Sequence, residues 1–338
     1  MKYAFLRASA RLALSSCLLF IFSAFSTKAI GQYATKITVA QDGSGDFTRI
    51  QDAIDNAKAF PDERITIFIK SGIYTEKVKV YAWNTFLTLK GEDTATTVIT
   101  WDDHFDKINR GRNSTFHTYT LLVQGDDFRA EKLHIANTAG PVGQAVALAV
   151  EADRCVIRDC RVTGFQDALY TAGSNSRQYF ERCHIEGTTD FIFGPATALF
   201  DSCTIHSKSN SFITAASTPK GKPFGYVFRH CRLTADAGVD SVYLGRPWRD
   251  FAQVVFLNCY MGAHIRPEGW HHWAGTRRDK TAFFAEFDNT GPGAGTAKRV
   301  PWSRQLGKNA ARRYTPKKVL QAAPSPDLGY KFWWTKSQ

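Results

Sequence analysis

The chain has 338 residues, 43% hydrophobic and 22% charged, with 43 Lys and Arg against 31 Asp and Glu. That length suits one large domain or two ordinary ones with a sizeable core, and the composition excludes both a disordered tail protein and a collagen-like repeat. Seven cysteines are too few for a disulfide scaffold, and past the N-terminus no apolar run approaches the ~20 residues that cross a bilayer.

Residues 1–31 read as a secretory signal peptide. Lys2, Arg7 and Arg11 precede an apolar stretch from Leu12 to Phe25, and Ser26-Thr27-Lys28-Ala29 follows. Cleavage is expected between Ala24 and Gly31, leaving 32–338 as an exported chain with no membrane attachment. Losing Lys2, Arg7, Arg11 and Lys28 without any acid lowers the formal net charge from +12 to +8. A basic exported protein suits a polyanionic partner. Nucleic acid is disfavoured, because the chain has no zinc-finger spacing, no RNP-type motif and no long Lys/Arg run. An acidic polysaccharide is the other candidate.

Residues 48–58 place Ile50, Ala53, Ile54 and Ala57 on one face, which predicts a short amphipathic helix. Residues 65–70 and 86–90 are early strands. A repeat then begins. Val156-Ile157-Arg158-Asp159-Cys160-Arg161-Val162 recurs around Cys183, Cys203, Cys231 and Cys259, and an earlier copy has Leu133 in the cysteine slot. The slots are 27, 23, 20, 28 and 28 residues apart. Each copy alternates apolar and polar residues at least in part, and no helix-length segment separates them, so the unit is one coil of a β-solenoid. The expected fold is all-β: a single-stranded right-handed parallel β-helix, its open first coil capped by the N-terminal helix. After Trp273 the period fades, and a tail ending near Trp333-Trp334 is expected to pack outside. The cysteine ladder reads by default as buried free thiols. Coils stack about 4.8 Å apart, within disulfide range, and Cys183–Cys203 is the best-placed pair if export oxidises one.

Chemistry concentrates in four segments. Gln144, Asp167 and Asp190 are 23 and 23 residues apart, the step from Cys160 to Cys183, so they are expected to stack on one coil face. A solvated polar stripe is the bland alternative. The neighbours in Gly164-Phe165-Gln166-Asp167-Ala168-Leu169-Tyr170 and Asp190-Phe191-Ile192-Phe193-Gly194 instead desolvate both acids. Two such carboxyls can divide labour, one protonated and one ionised, as acid/base and nucleophile. Arg246, in Tyr243-Leu244-Gly245-Arg246-Pro247-Trp248, lies 56 residues past Asp190, two coils on at the local step of 28. It could form a bidentate pair with a carboxylate, and Trp248 could stack on a sugar face. No G-x-S-x-G elbow occurs, and the histidines form no spaced cluster with acids.

Together the G-x-Q-D-x-L-Y, D-F-I-F-G and L-G-R-P-W motifs, in this order, resemble the pectin methylesterase (pectinesterase) family of carbohydrate esterases. The resemblance runs from Ile37-Thr38-Val39-Ala40 and Asp42-Gly43-Ser44-Gly45-Asp46-Phe47 to Asn289-Thr290-Gly291-Pro292-Gly293 and Trp302. Plant members typically have Thr where Ala168 stands. The resemblance implies Asp190 as nucleophile on a galacturonate methyl ester, and Asp167 as the acid for methanol and then the base for water. It implies Gln144 and Gln166 as oxyanion donors and Arg246 as the group holding Asp190 ionised. Tyr170, Phe193, Trp248 and Trp270 would line the groove, while Phe191 reads as core. It further implies methyl-esterified pectin as substrate, no cofactor and no metal, and a secreted monomer, extracellular or periplasmic. A glycosidase or lyase on the pectin backbone, and a silent binder of acidic polysaccharide, are the alternatives.

Overall fold

A computed structural model of the chain describes residues 33–173, 175–321 and 332–335. The segment read as a signal peptide lies outside them. The described strands form three sheets of eleven, eight and seven strands, and every strand pairing is parallel. Central coils give one short strand to each sheet in turn, which is a right-handed parallel β-helix.

The repeat is visible because one corner of the coil is conformationally constrained. Lys132, Asp159, Arg182, Ser202, His230 and Asn258, each immediately before a slot residue, all sit at φ 51–57°. One left-handed residue turns the chain from the first sheet into the second, and the next side chain points inward. Leu133, Cys160, Cys183, Cys203, Cys231 and Cys259 are accordingly all buried, none more than 2% exposed. In the first sheet Val156 pairs with Tyr179, Leu199, Val227 and Val255 in succession, and Ile157 with Phe180, Phe200, Phe228 and Phe256. The second row faces in. Its phenylalanine rings stack with centres 4.8, 4.5 and 4.3 Å apart, each pair adding about 0.5–1.5 kcal/mol to simple burial.

The first row faces out and would be an exposed apolar stripe. Val319, Leu320, Trp333 and Trp334 cover it, and the Trp334 carbonyl accepts from Arg158 Nη2 at 3.0 Å. The tail packs outside, as expected. The capping helix spans Ile50–Asn56, with Ile50, Ala53 and Ile54 buried. Its start lacks a side-chain cap of its own, and Glu76 takes the N–H groups of Ile50 and Gln51 at 3.0 and 3.1 Å.

The disulfide expectation is corrected. All six described cysteines are free thiols. Equivalent slots on successive coils put the thiols side by side in the core, where the Cys183 N–H donates to Cys203 Sγ at 3.4 Å without a bridge. Cys183 Sγ donates instead to the carbonyl of Ile157 at 3.3 Å, and Cys203 Sγ to that of Phe180 at 3.5 Å.

Candidate active site

The outer face of the third sheet carries the site. Its register aligns Ala149, Tyr170, Phe193, Ala215 and Arg246. Asp167 and Asp190 precede the strands Leu169–Thr171 and Ile192–Gly194 and occupy left-handed backbone at φ 63° and 50°. Aspartate tolerates that conformation better than bulky or β-branched residues do. The next coil holds each in place: the Asp167 N–H donates to Thr189 O at 3.0 Å, and that of Asp190 to Phe212 O at 2.8 Å. Leu169 pairs with Ile192, so the 23-residue step stacks the two aspartates as expected. It does not stack Gln144 on Asp167. Leu148 pairs with Leu169, a shorter step, and Gln144 bridges to Gln166 instead. One pair of amides therefore lies beside one pair of acids.

The two acids have unlike surroundings. Arg246 meets Asp190 bidentately, Nε to Oδ1 at 3.0 Å and Nη2 to Oδ2 at 2.7 Å. Its guanidinium carbon lies 4.0 Å from the Phe212 ring centre and 4.2 Å from that of Trp273, an aromatic slot that fixes the fork. The Asp167 carboxyl and the Gln144 and Gln166 amides have no hydrogen-bond partner among the described residues. Burial, together with the Asp190 charge, pushes the Asp167 carboxyl well above the usual range. Burial also raises Asp190, but the hydrogen bonds and charge of Arg246 oppose it. Of the two, Asp167 is raised further, and Asp190 is the one whose charged form a hydrogen-bonded partner stabilises.

These groups line a cleft of about 560 Å³. Phe193 and Trp248 also line it, their rings edge to face at 5.8 Å. Tyr170 stacks on Phe193 at 4.7 Å and lies beside the cleft as a half-buried support. Trp270 is a correction. It is fully buried, its indole N–H donates to Glu286 at 3.2 Å, and its ring packs on Phe284 at 4.7 Å. It bridges to Gly245 one coil back and turns into the core, not the groove. Several cleft residues carry no signal in the repeat. Arg112, Asn113, Thr115 and Phe116 come from the 3-10 helix Gly111–His117, which precedes the motif-bearing coils, and Trp273 comes from irregular chain after them. Among the described residues no three His, Cys, Asp or Glu side chains converge so as to hold a metal ion.

An open cleft along one face of a solenoid suits a linear polymer, and two carboxyls in unlike surroundings suit hydrolytic chemistry. Comparison with known proteins narrows that class. The chain belongs to the pectinesterase family, whose model matches residues 36–323. It is 41% identical over 286 residues to Pectinesterase 31 of Arabidopsis thaliana, covering 82% of this chain and 90% of that one. The pectin methylesterase from carrot matches with a TM-score of 0.79 at 31% identity, covering 84% of this chain and 92% of that one. A pectin methylesterase in complex with a hexasaccharide matches with a TM-score of 0.73 at 28% identity, covering 88% and 99%. This chain is a carboxylic ester hydrolase.

Proposed function

We propose that the protein hydrolyses methyl esters of galacturonate units in pectin, releasing methanol and leaving pectate, with Asp190 as nucleophile. The observation that carries this reading is the asymmetry of the stacked acids: Asp190 is paired with Arg246 at 2.7 and 3.0 Å, and Asp167 has no such partner.

An Asp190 carboxylate oxygen attacks the ester carbonyl carbon, whose oxygen becomes an oxyanion between the Gln144 and Gln166 amides. Each preorganised donor of this kind supplies roughly 2.7–4 kcal/mol. The tetrahedral centre collapses, the C–O bond to methoxide breaks, and Asp167 gives its proton so that methanol leaves. An Asp190–galacturonyl anhydride remains. Asp167, now ionised, takes a proton from water; the hydroxide cleaves the anhydride, freeing Asp190 as carboxylate and the galacturonic acid, whose carboxyl proton passes to solvent, and Asp167 keeps the proton for the next cycle. Phe193 and Trp248 offer ring faces to the sugars. No resident cofactor takes part. We read residues 1–31 as a removed signal and the working form as an exported monomer on the plant cell wall polymer, in keeping with the basic mature charge.

Incubation with highly methylated pectin tests the reaction. Methanol should appear while polymer length is unchanged. Shortened chains without methanol would replace this reading with backbone cleavage.

A further inference from the structure

The outward face that holds the cleft extends well beyond it. In register from Arg246, the row passes Phe193 and Tyr170 and ends at Lys79, six strands away. At about 4.8 Å per strand this is about 29 Å. Aromatic rings mark the way: Phe116 packs on Tyr170 at 5.0 Å, and Tyr119 joins the same cluster with Lys77 Nζ 4.8 Å from its ring centre.

Trp83 stands at the far end. Its indole is parallel to the Tyr81 ring within 6°, with centres 4.6 Å apart, yet the residue is 45% exposed. Nearly half of the residue is left to solvent, while the support under it is held firmly. Lys79 Nζ lies 5.2 Å from the Tyr81 ring centre. Gln51 of the capping helix accepts from the Lys79 N–H at 2.7 Å and donates to its carbonyl at 3.2 Å. The Tyr81 N–H donates to Asn84 Oδ1 at 3.2 Å. An exposed ring on a fixed base is a stacking platform that loses little entropy on binding.

We propose that Trp83, backed by Tyr81 and Lys79, is a remote subsite for the same galacturonan chain, several sugar units from the ester being cleaved. The occupant follows from continuity with the cleft and from chemistry: a pyranose offers an apolar C–H face to the indole, and uronate oxygens suit the Lys79 ammonium. The inference rests on the pectinesterase reading of the cleft.

Trp83→Ala separates the two ideas. With long methylated pectin its KM should rise about 5–10-fold at unchanged kcat, and with a methylated galacturonate tetramer, too short to reach Trp83, both constants should match wild type. Trp83→Phe should recover most of the loss, and Tm of Trp83→Ala should fall only by the few degrees that the lost stack on Tyr81 explains. Wild type is assayed first: absence of methanol there defeats the esterase reading itself. Active wild type with an unchanged KM in Trp83→Ala, or an equal rise on both substrates, overturns the subsite alone. A wild-type dimer that Trp83→Ala splits into monomers on light scattering assigns the patch to self-association and likewise overturns it.

Discussion

Replacing Arg246 by Gln keeps a hydrogen-bond donor near Asp190 but removes the charge and the two-pronged grip. The Asp190 side chain is 8% exposed and that of Arg246 23%, so water does little to screen the loss. Breaking a buried pair by deleting one partner costs about 3–5 kcal/mol, and the partly open arginine side places this one at the low end. About 3 kcal/mol corresponds to about 10²-fold in rate at a pH where wild-type Asp190 is ionised. The sign with pH is also fixed. Without the guanidinium, only the effect of burial remains, so the Asp190 pKa rises further and the acid limb of kcat/KM moves to higher pH. Stability follows the same linkage. A carboxyl whose folded pKa lies above its unfolded value loses stability as pH rises, so Arg246→Gln should lose more Tm at pH 8 than at pH 4.5, both against wild type. Initial rates of methanol release from pH 4 to 9, with thermal melts at the two ends, measure both. An unshifted acid limb with near-wild-type kcat would refute the claim that Arg246 keeps Asp190 ionised.

For wild type, kcat/KM should be bell-shaped: the acid limb reports ionisation of Asp190, and the alkaline limb loss of the Asp167 proton, which burial and the neighbouring charge retain above the ordinary carboxylate range. A flat profile would contradict the division of roles. Asp167→Asn should lower kcat by about 10²–10⁴ and abolish the alkaline limb, with a smaller loss on esters of more acidic alcohols; survival of that limb would move the acid elsewhere. Trp270→Ala should destabilise by about 3–5 kcal/mol with KM unchanged, since the ring is fully buried; a raised KM in a stable variant would restore it to the groove. Reducing agent should leave Tm unchanged, and unreduced unfolded protein should show thiols at both Cys183 and Cys203; a blocked pair would reinstate the bridge.

The architecture was legible in the sequence because its corner is chemically restrictive. A left-handed residue followed by an inward side chain repeats from Lys132-Leu133 to Asn258-Cys259, and small buried cysteines mark that corner plainly. Asp167 and Asp190 were found by the same ruler, because their strands keep the 23-residue step. Gln144 was aligned wrongly for the converse reason. The preceding coil does not keep one length at every corner: its step is 27 residues from Leu133 to Cys160 but 21 from Leu148 to Leu169, so a step of 23 does not carry Gln144 onto Asp167, and Gln144 meets Gln166. Resemblance alone assigns Trp270 to the groove, and in the irregular chain after the last motif no alternation indicates which side is inward. Arg112 and Phe116 reach the cleft from a 3-10 helix outside the repeat, and only tertiary folding brings them there. The outward stripe covered by Trp333 and Trp334 explains why the first sheet's copies alternate imperfectly: both of its faces are buried.

The most direct measurement is turnover of methylated pectin by folded Asp190→Ala beside wild type, with Tm recorded for both. A covalent role for that carboxylate predicts a loss of at least about 10³-fold in kcat. A folded variant that still releases methanol at close to the wild-type rate would contradict it.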